Sequence, residues 1–301
     1  MLRWCRSGGT MYSTILLPVN GSGGSDELVN RTLNFAQRVG ASVHVLHVVA
    51  AQPGPDTLSS DQHEQLHQPL EQRGRDAIAR IHDHATALDI ETTRVVREGV
   101  PHQVILDYAA EHGVELIVMG RHGRTGVEQV GLGSTTERVV ALADAPVVAV
   151  PVTDEAAADV DEVDYDRVVI ATDGSDAAER AAERGLEIAE TYDADVSVSY
   201  VIDTATYDLK DAPRSIIGLL REGGQNAVEV VATDGRDRGL SVNTDVRRGI
   251  PHEEITTYAD GVGGDLVVLG TRGVGGATGD LLGSTTARVL RRTASPILTV
   301  G

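Results

Sequence analysis

Cysteine occurs once in the 301 residues, at Cys5, so neither an intramolecular disulfide nor a cysteine-based zinc cluster can form. A chain without disulfides suits a reducing interior, and the expected location is cytoplasmic. Aromatic residues make up only 3% of the chain, and Lys210 is the sole lysine. Acidic residues outnumber basic ones 45 to 26, for a formal charge of −19. That balance excludes the basic surface needed for non-specific binding to nucleic acid or an anionic membrane. No apolar run approaches the roughly 18 to 20 residues of a membrane span. The longest candidate, around Val147, is broken by Asp144, Pro146 and Pro151. Residues 1–10 carry Arg3 and Arg6 and no apolar stretch, so they do not read as a secretion signal and are expected to form an extension.

What is present is globular: 41% hydrophobic, 24% charged, with 33 Gly. The length suits two average domains better than one. Acidic excess, scarce Lys and few aromatics resemble the composition of proteins from salt-loving microbes, where surface carboxylates keep the chain in solution.

The two domains are copies of one unit. Gly99-Val100-Pro101-His102 recurs as Gly249-Ile250-Pro251-His252, and Leu132-Gly133-Ser134-Thr135-Thr136 as Leu282-Gly283-Ser284-Thr285-Thr286, both at an offset of 150. Earlier in each unit the offset is 153, which sets Val19-Asn20-Gly21-Ser22 against Thr172-Asp173-Gly174-Ser175 and Val48 against Val201. The expected organisation is an extension at 1–10, a first domain at 11–152, an acidic, Ala-rich linker at 153–164 and a second domain at 165–301.

Short β-branched runs alternate with helical patterns. Ile15–Val19, Val43–Val49, Thr92–Val96, Leu116–Met119 and Val147–Val150 read as strands in the first unit. Val168–Thr172, Val196–Ile202, Val242–Val246, Leu266–Leu269 and Ile297–Val300 repeat them in the second. Strands separated by helices imply right-handed crossovers, hence an α/β fold of two tandem, doubly wound, parallel five-stranded sheets. Pro101 and Pro251 suit the first turn of a helix, where no N–H is needed.

The chemistry lies in the glycines. Gly120-x-x-Gly123, nine residues, then Gly133-Ser134-Thr135 follows the fourth strand, and Gly270-x-x-Gly273 with Gly283-Ser284-Thr285 repeats the spacing. Glycines at a strand's carboxyl end let backbone N–H groups curl inward, and the next helix start adds free donors and a positive dipole end. Such a loop suits phosphate, and in an open parallel sheet it sits where ligands bind. A side chain at Gly273 or Gly283 is expected to fill the space the phosphates need or to force a disallowed backbone. Ser134 and Ser284 read as helix N-caps. Arg121, His122 and Arg124 could screen phosphate charge in the first unit, and Arg272 in the second.

This arrangement resembles the universal stress protein family in its tandem two-domain form, over nearly the whole chain from Tyr12. The resemblance implies an adenine nucleotide alpha-hydrolase-like, Rossmann-like fold with strand order 3-2-1-4-5. It also implies binding of ATP or another adenine nucleotide, with or without Mg²⁺, and a role in stress response through nucleotide-dependent signalling or buffering. By the family's pattern Asp173, Val201, Gly270, Gly273, Gly283, Ser284 and Thr285 form the second site. Asn20, Val48, Gly120, Gly123, Gly133, Ser134 and Thr135 form the first. Asn20 departs from the family's Asp: it still accepts a hydrogen bond but carries no charge. The resemblance further implies that fifth-strand edges meet across a two-fold, making an internal pseudo-dimer, and leaves open a homodimer of the whole chain.

Catalytic readings fare worse. His63-Glu64-Gln65-Leu66-His67 matches H-E-x-x-H but has no counterpart in the second unit and no third ligand, so no metal site is expected. Ser22-Gly23-Gly24-Ser25-Asp26 resembles the pyrophosphate loop of ATP pyrophosphatases, yet the second unit lacks it. No Walker lysine, G-x-S-x-G or triad is present. Binding therefore outranks catalysis, with at most slow ATP hydrolysis; a non-binding stress scaffold working through protein contacts is the first alternative and an ATP pyrophosphatase-like enzyme the second.

Overall fold

The computed structural model describes residues 12–21, 26–50, 60–122, 132–152, 163–204, 213–273 and 282–301, with backbone alone at 60–67 and 122. The first half runs β1 (Thr14–Val19), α1 (Asp26–Val39), β2 (Ser42–Ala50), α2 (Ser60–Ala87), β3 (Thr92–Gly99), α3 (Pro101–Glu111), β4 (Leu116–His122), α4 (Ser134–Leu142) and β5 (Val147–Val152). The second runs β6 (Arg167–Ala171), α5 (Asp176–Tyr192), β7 (Asp195–Asp203), α6 (Arg214–Asp237), β8 (Val242–Gly249), α7 (Pro251–Val262), β9 (Leu266–Gly270), α8 (Ser284–Arg292) and β10 (Ile297–Val300).

Within each half the strands lie in the order 3-2-1-4-5, and every neighbouring pair is parallel. The two expected sheets are one. β5 and β10 pair antiparallel, with Leu298 opposite Val148, and close a ten-stranded sheet. Each fifth strand thereby loses a bare edge that would invite aberrant pairing.

Alternation along the strands splits the core into two layers. Leu17, Val118, Val150 and Leu298 face α1, α2, α5 and α6, whereas Leu16, Ile117, Ala149 and Ile297 face α3, α4, α7 and α8. Both layers run unbroken across the β5–β10 seam. Aromatics of both halves meet in the first layer: Phe35 stacks on Tyr192 at 6.3 Å between ring centroids, and Tyr165 meets Tyr192 edge-on at 4.9 Å. Tyr192 donates its hydroxyl to Asn34 Oδ1 at 2.8 Å, the Arg38 guanidinium covers the same ring at 4.5 Å, and Arg38 also pairs with Asp164. Pro101 and Pro251 open α3 and α7.

Among the described residues no helix is long and apolar enough to cross a membrane, and no group of three His, Cys, Asp or Glu could hold a metal ion. The Ser22-Gly23-Gly24-Ser25 stretch, and the extension expected at 1–10, lie outside the described residues.

Candidate functional site

The strand β6 ends at Ala171, one residue before its sequence-predicted end, because the chain turns immediately. Thr172 Oγ1 accepts from the Gly174 N–H at 3.1 Å, and Asp173 Oδ1 accepts from the Ser175 N–H at 3.0 Å. Gly174 sits at φ +76°, a left-handed value that a side chain would strain. Ser175 then caps α5, its Oγ accepting from the Ala178 N–H at 3.3 Å. The Asp173 carboxylate is thus aimed by its own turn.

It is aimed at Gly273, a hundred residues away. A Cβ on Gly273 would lie 2.2 Å from Asp173 Oδ2, so the loop after β9 reaches the strand-one carboxylate only because that position has no side chain. Gly270 is equally confined, since a Cβ there would stand 3.0 Å from the backbone of Ala177 and Ala178. The β6–β7 register sets Ala171 opposite Ser199. Asp173 follows two residues beyond that pair, in the turn, and Val201 lies half-buried on β7.

The returning end of the loop is anchored as well. The Thr271 N–H donates to Val300 O and the Gly283 N–H to Thr271 O, both at 2.8 Å. Thr286 Oγ1 donates to Gly270 O at 2.7 Å, tying the first turn of α8 to the exit of β9. Sequence reasoning missed this hydroxyl, although the doubled Thr in both copies was its signal. Gly283, and not Ser284, is the N-cap of α8, and no side chain caps the helix. Ser284 is exposed at the first helical position, beside half-exposed Thr285. With no acidic residue in its first turn and Arg291 and Arg292 in its last, α8 keeps the positive end of its dipole unneutralised. Arg272 is exposed next to this helix start.

Gly283 is confined too. A Cβ there would meet Thr271 O at 3.0 Å, the protein's own backbone, so its bareness serves chain closure in the first place.

The first half repeats the plan with differences. The β1–β2 register ends with Val19 opposite His47; the next residues, Asn20 and Val48, are exposed and half-buried respectively. Thr136 Oγ1 donates to Gly120 O at 2.9 Å, matching Thr286 and Gly270. Gly133 caps α4 without a side-chain hydrogen bond and at φ +77°, so Ser134, like Ser284, is the first helical residue and not the cap. Thr135 follows it, half-exposed. Unlike α8, α4 carries Glu137 in its first turn. Gly123 and Arg124 lie outside the described residues, as does the His122 side chain.

Arg121 overturns its reading as a phosphate screen. It is 2% exposed and turned away from the loop, donating Nη1 to Leu290 O and Nη2 to Thr293 O and Ser295 O at 2.7–3.0 Å. The H-E-x-x-H stretch falls on α2, where the side chains of 60–67 are outside the description. An apolar cavity of about 20 Å³ lined by Arg31, Phe35, Val118, Val148 and Tyr165 lies between the halves. It has room for about one water and touches none of the site residues, so it is a packing gap.

Comparison with known proteins agrees with this architecture. The family model described as the universal stress protein family matches twice, at residues 11–151 and 164–301. A universal stress protein of Methanocaldococcus jannaschii is 37% identical over 139 residues, covering 45% of this chain and 82% of its own. One from Mycolicibacterium smegmatis is 28% identical over 302 residues, covering 95% and 96% of the two chains. The crystal structure of a universal stress protein from Archaeoglobus fulgidus superposes with a TM-score of 0.69 at 21% identity, covering 96% of this chain and 97% of that one. With two family units spanning nearly its whole length, the chain belongs to the universal stress protein family.

Proposed function

We propose that the chain binds ATP or another adenine nucleotide at the carboxyl ends of its strands and acts in stress response through that bound state, by signalling or buffering. The observation that carries this reading is the convergence of the Asp173 carboxylate on bare Gly273, beside the uncapped start of α8. The parts suit the three parts of a nucleotide. The N–H groups of Ser284 and Thr285, with the helix dipole, take phosphate. The Asp173 carboxylate takes a ribose hydroxyl through a charge-assisted hydrogen bond. The backbone at Val201 takes the adenine edge, as the family resemblance implies. Asp173 is the carboxylate that the described residues bring to this site, so a Mg²⁺ ion would be held chiefly by the phosphates and water.

The first site lacks the carboxylate, because Asn20 stands where Asp173 does. A charged acceptor adds roughly 1 kcal/mol over a neutral one, or several-fold in affinity. The second half should therefore hold the nucleotide more tightly. Mass spectrometry of ligand released from the purified chain is the first check, with ATP or AMP expected and an empty chain favouring a scaffold. Calorimetric titration then separates the halves: Asp173→Asn should lose the tighter class, and Asn20→Asp should strengthen the weaker. Two equal sites that ignore both substitutions would refute the assignment.

A further inference from the structure

Two residues of the first half hold the far end of the second half's phosphate helix. Arg121 directly follows Gly120 at the exit of β4, and its buried guanidinium crosses the β5–β10 seam. It donates to Leu290 O in the last turn of α8 and to Thr293 O and Ser295 O just beyond. Leu290 O, in that last turn, is among the carbonyls that a helix end leaves without partners. Burial pulls the Arg121 pKa down to about 10, so it remains a cation at neutral pH, facing the negative end of the α8 dipole. Glu137, in the first turn of α4, pairs with Arg291 in the last turn of α8 at 2.8 Å. Both walls of the first site, the β4 exit and the α4 start, thus grip the carboxyl end of the helix whose amino end forms the second site.

The grip is one-sided. The repeat places Thr271 where Arg121 stands, Ala287 where Glu137 stands and Ala141 where Arg291 stands. None of these carries the charge needed to make the same contact to α4, so the α8 grip has no counterpart.

We propose that nucleotide occupancy of the first half is coupled to affinity in the second through α8, with Arg121 and Glu137 as the coupling residues. The proposal rests on the nucleotide-binding reading above. At nine residues α8 is only about 13 Å long and moves as one rod. Phosphate seated between the β4 exit and the α4 start shifts the two grips, and the rod passes that shift to the N–H groups of Ser284 and Thr285. By linkage, filling the second site changes the first by the same factor.

The test titrates ATP calorimetrically into the full chain, its Ser134→Asp variant and its Ser284→Asp variant. A carboxylate at a helix start repels phosphate while favouring the helix, so each variant closes one site and keeps the fold. The second-half Kd should differ roughly fivefold or more between the wild type with its first site filled and Ser134→Asp. Glu137→Gln and Arg121→Leu should each shrink that ratio to about twofold or less while both sites still bind. Arg121→Leu leaves three carbonyls without their donor and can unfold the chain, so Glu137→Gln, which breaks only a half-exposed pair, keeps the test decisive. In Ser284→Asp, ATP at the first half alone should slow hydrogen exchange in the last turn of α8. ATP at both sites with Kd values indifferent to each other's occupancy overturns the coupling and leaves nucleotide binding standing. A ratio that survives Glu137→Gln and Arg121→Leu overturns α8 as the route. No ATP uptake by the wild type removes the nucleotide reading, and the coupling with it.

Discussion

His44 shows how a single position diverges within a repeated frame, whereas His252 repeats His102. His44, on β2, places Nδ1 2.8 Å from the Tyr108 hydroxyl and faces the His112 ring at 5.8 Å. The second half has Ser197 and Val262 at the corresponding places. Burial, and then His112, lower the His44 pKa from its ordinary 6.5, against a weaker upward pull from Glu91. Buried His252 is lowered by desolvation and then by Arg292 and Arg288, opposed by Glu253. Both imidazoles therefore protonate more readily in the unfolded chain. Their contribution to stability is complete above pH 6.5 and is lost as pH falls through the depressed folded values. Denaturant midpoints compared at about pH 7.5 and about pH 5 should fall further for the wild type than for a His44→Gln, His252→Gln double variant. Equal losses would show that these two groups do not set the acid sensitivity.

At the scale of an element, α6 carries two adjacent glycines with opposite roles. A Cβ on Gly223 would meet nothing within 4 Å, whereas one on Gly224 would stand 2.6 Å from the Tyr200 ring. The first half repeats the second arrangement, with Gly74 of α2 against His47, whose Nδ1–H donates to Val19 O at 3.0 Å. In each half a notched helix seats a ring at the end of the second strand, next to the strand-one turn of the candidate site. Gly223→Ala should stabilise the chain by about 0.5–1 kcal/mol, the gain from helix propensity alone. Gly224→Ala should instead destabilise it, because overpacking costs about 1–3 kcal/mol and outweighs that gain. Urea unfolding of the two variants checks the sign at each position, and stabilisation by both would show that the Tyr200 seat is slack.

The whole molecule is one sheet under a strongly negative surface. Its outer strands, β3 and β8, are protected by charge: Arg97 pairs with Glu111, and Arg247 with Asp245 and Glu254. Exposed pairs of this kind add little to stability. Self-repulsion from the −19 charge opposes the compact state. Raising KCl from about 0.1 M to about 1 M shortens the screening length from about 10 Å to about 3 Å. The thermal midpoint should rise, with each 1 kcal/mol of relief worth about 2–4 °C. A midpoint that falls over that range would mean that attractive pairs, such as Arg38 with Asp164 at the seam, outweigh the repulsion.

Periodicity and repetition were enough to determine the two units and their strands, because a buried parallel strand is written as a local run of β-branched residues and a crossover as a helical pattern beside it. The glycine spacing likewise marked the loops, since bare backbone at a strand exit is a local property, and the family resemblance it carries implied the 3-2-1-4-5 order. Other features depended on residues far apart in the chain. Ser134 and Ser284 satisfy N-cap statistics, yet the cap position passed to Gly133 and Gly283, where the loop must close against the strand exit. Arg121 looked like a loop cation, but its direction is set by acceptors about 170 residues away, on the other half. The approach of Gly273 to Asp173 also arises only when the chain is folded, whereas the meeting of β5 and β10 was already implied by the family resemblance. Local sequence encodes which element forms and where bare backbone lies; the partner of a side chain is fixed by what the completed sheet brings alongside it.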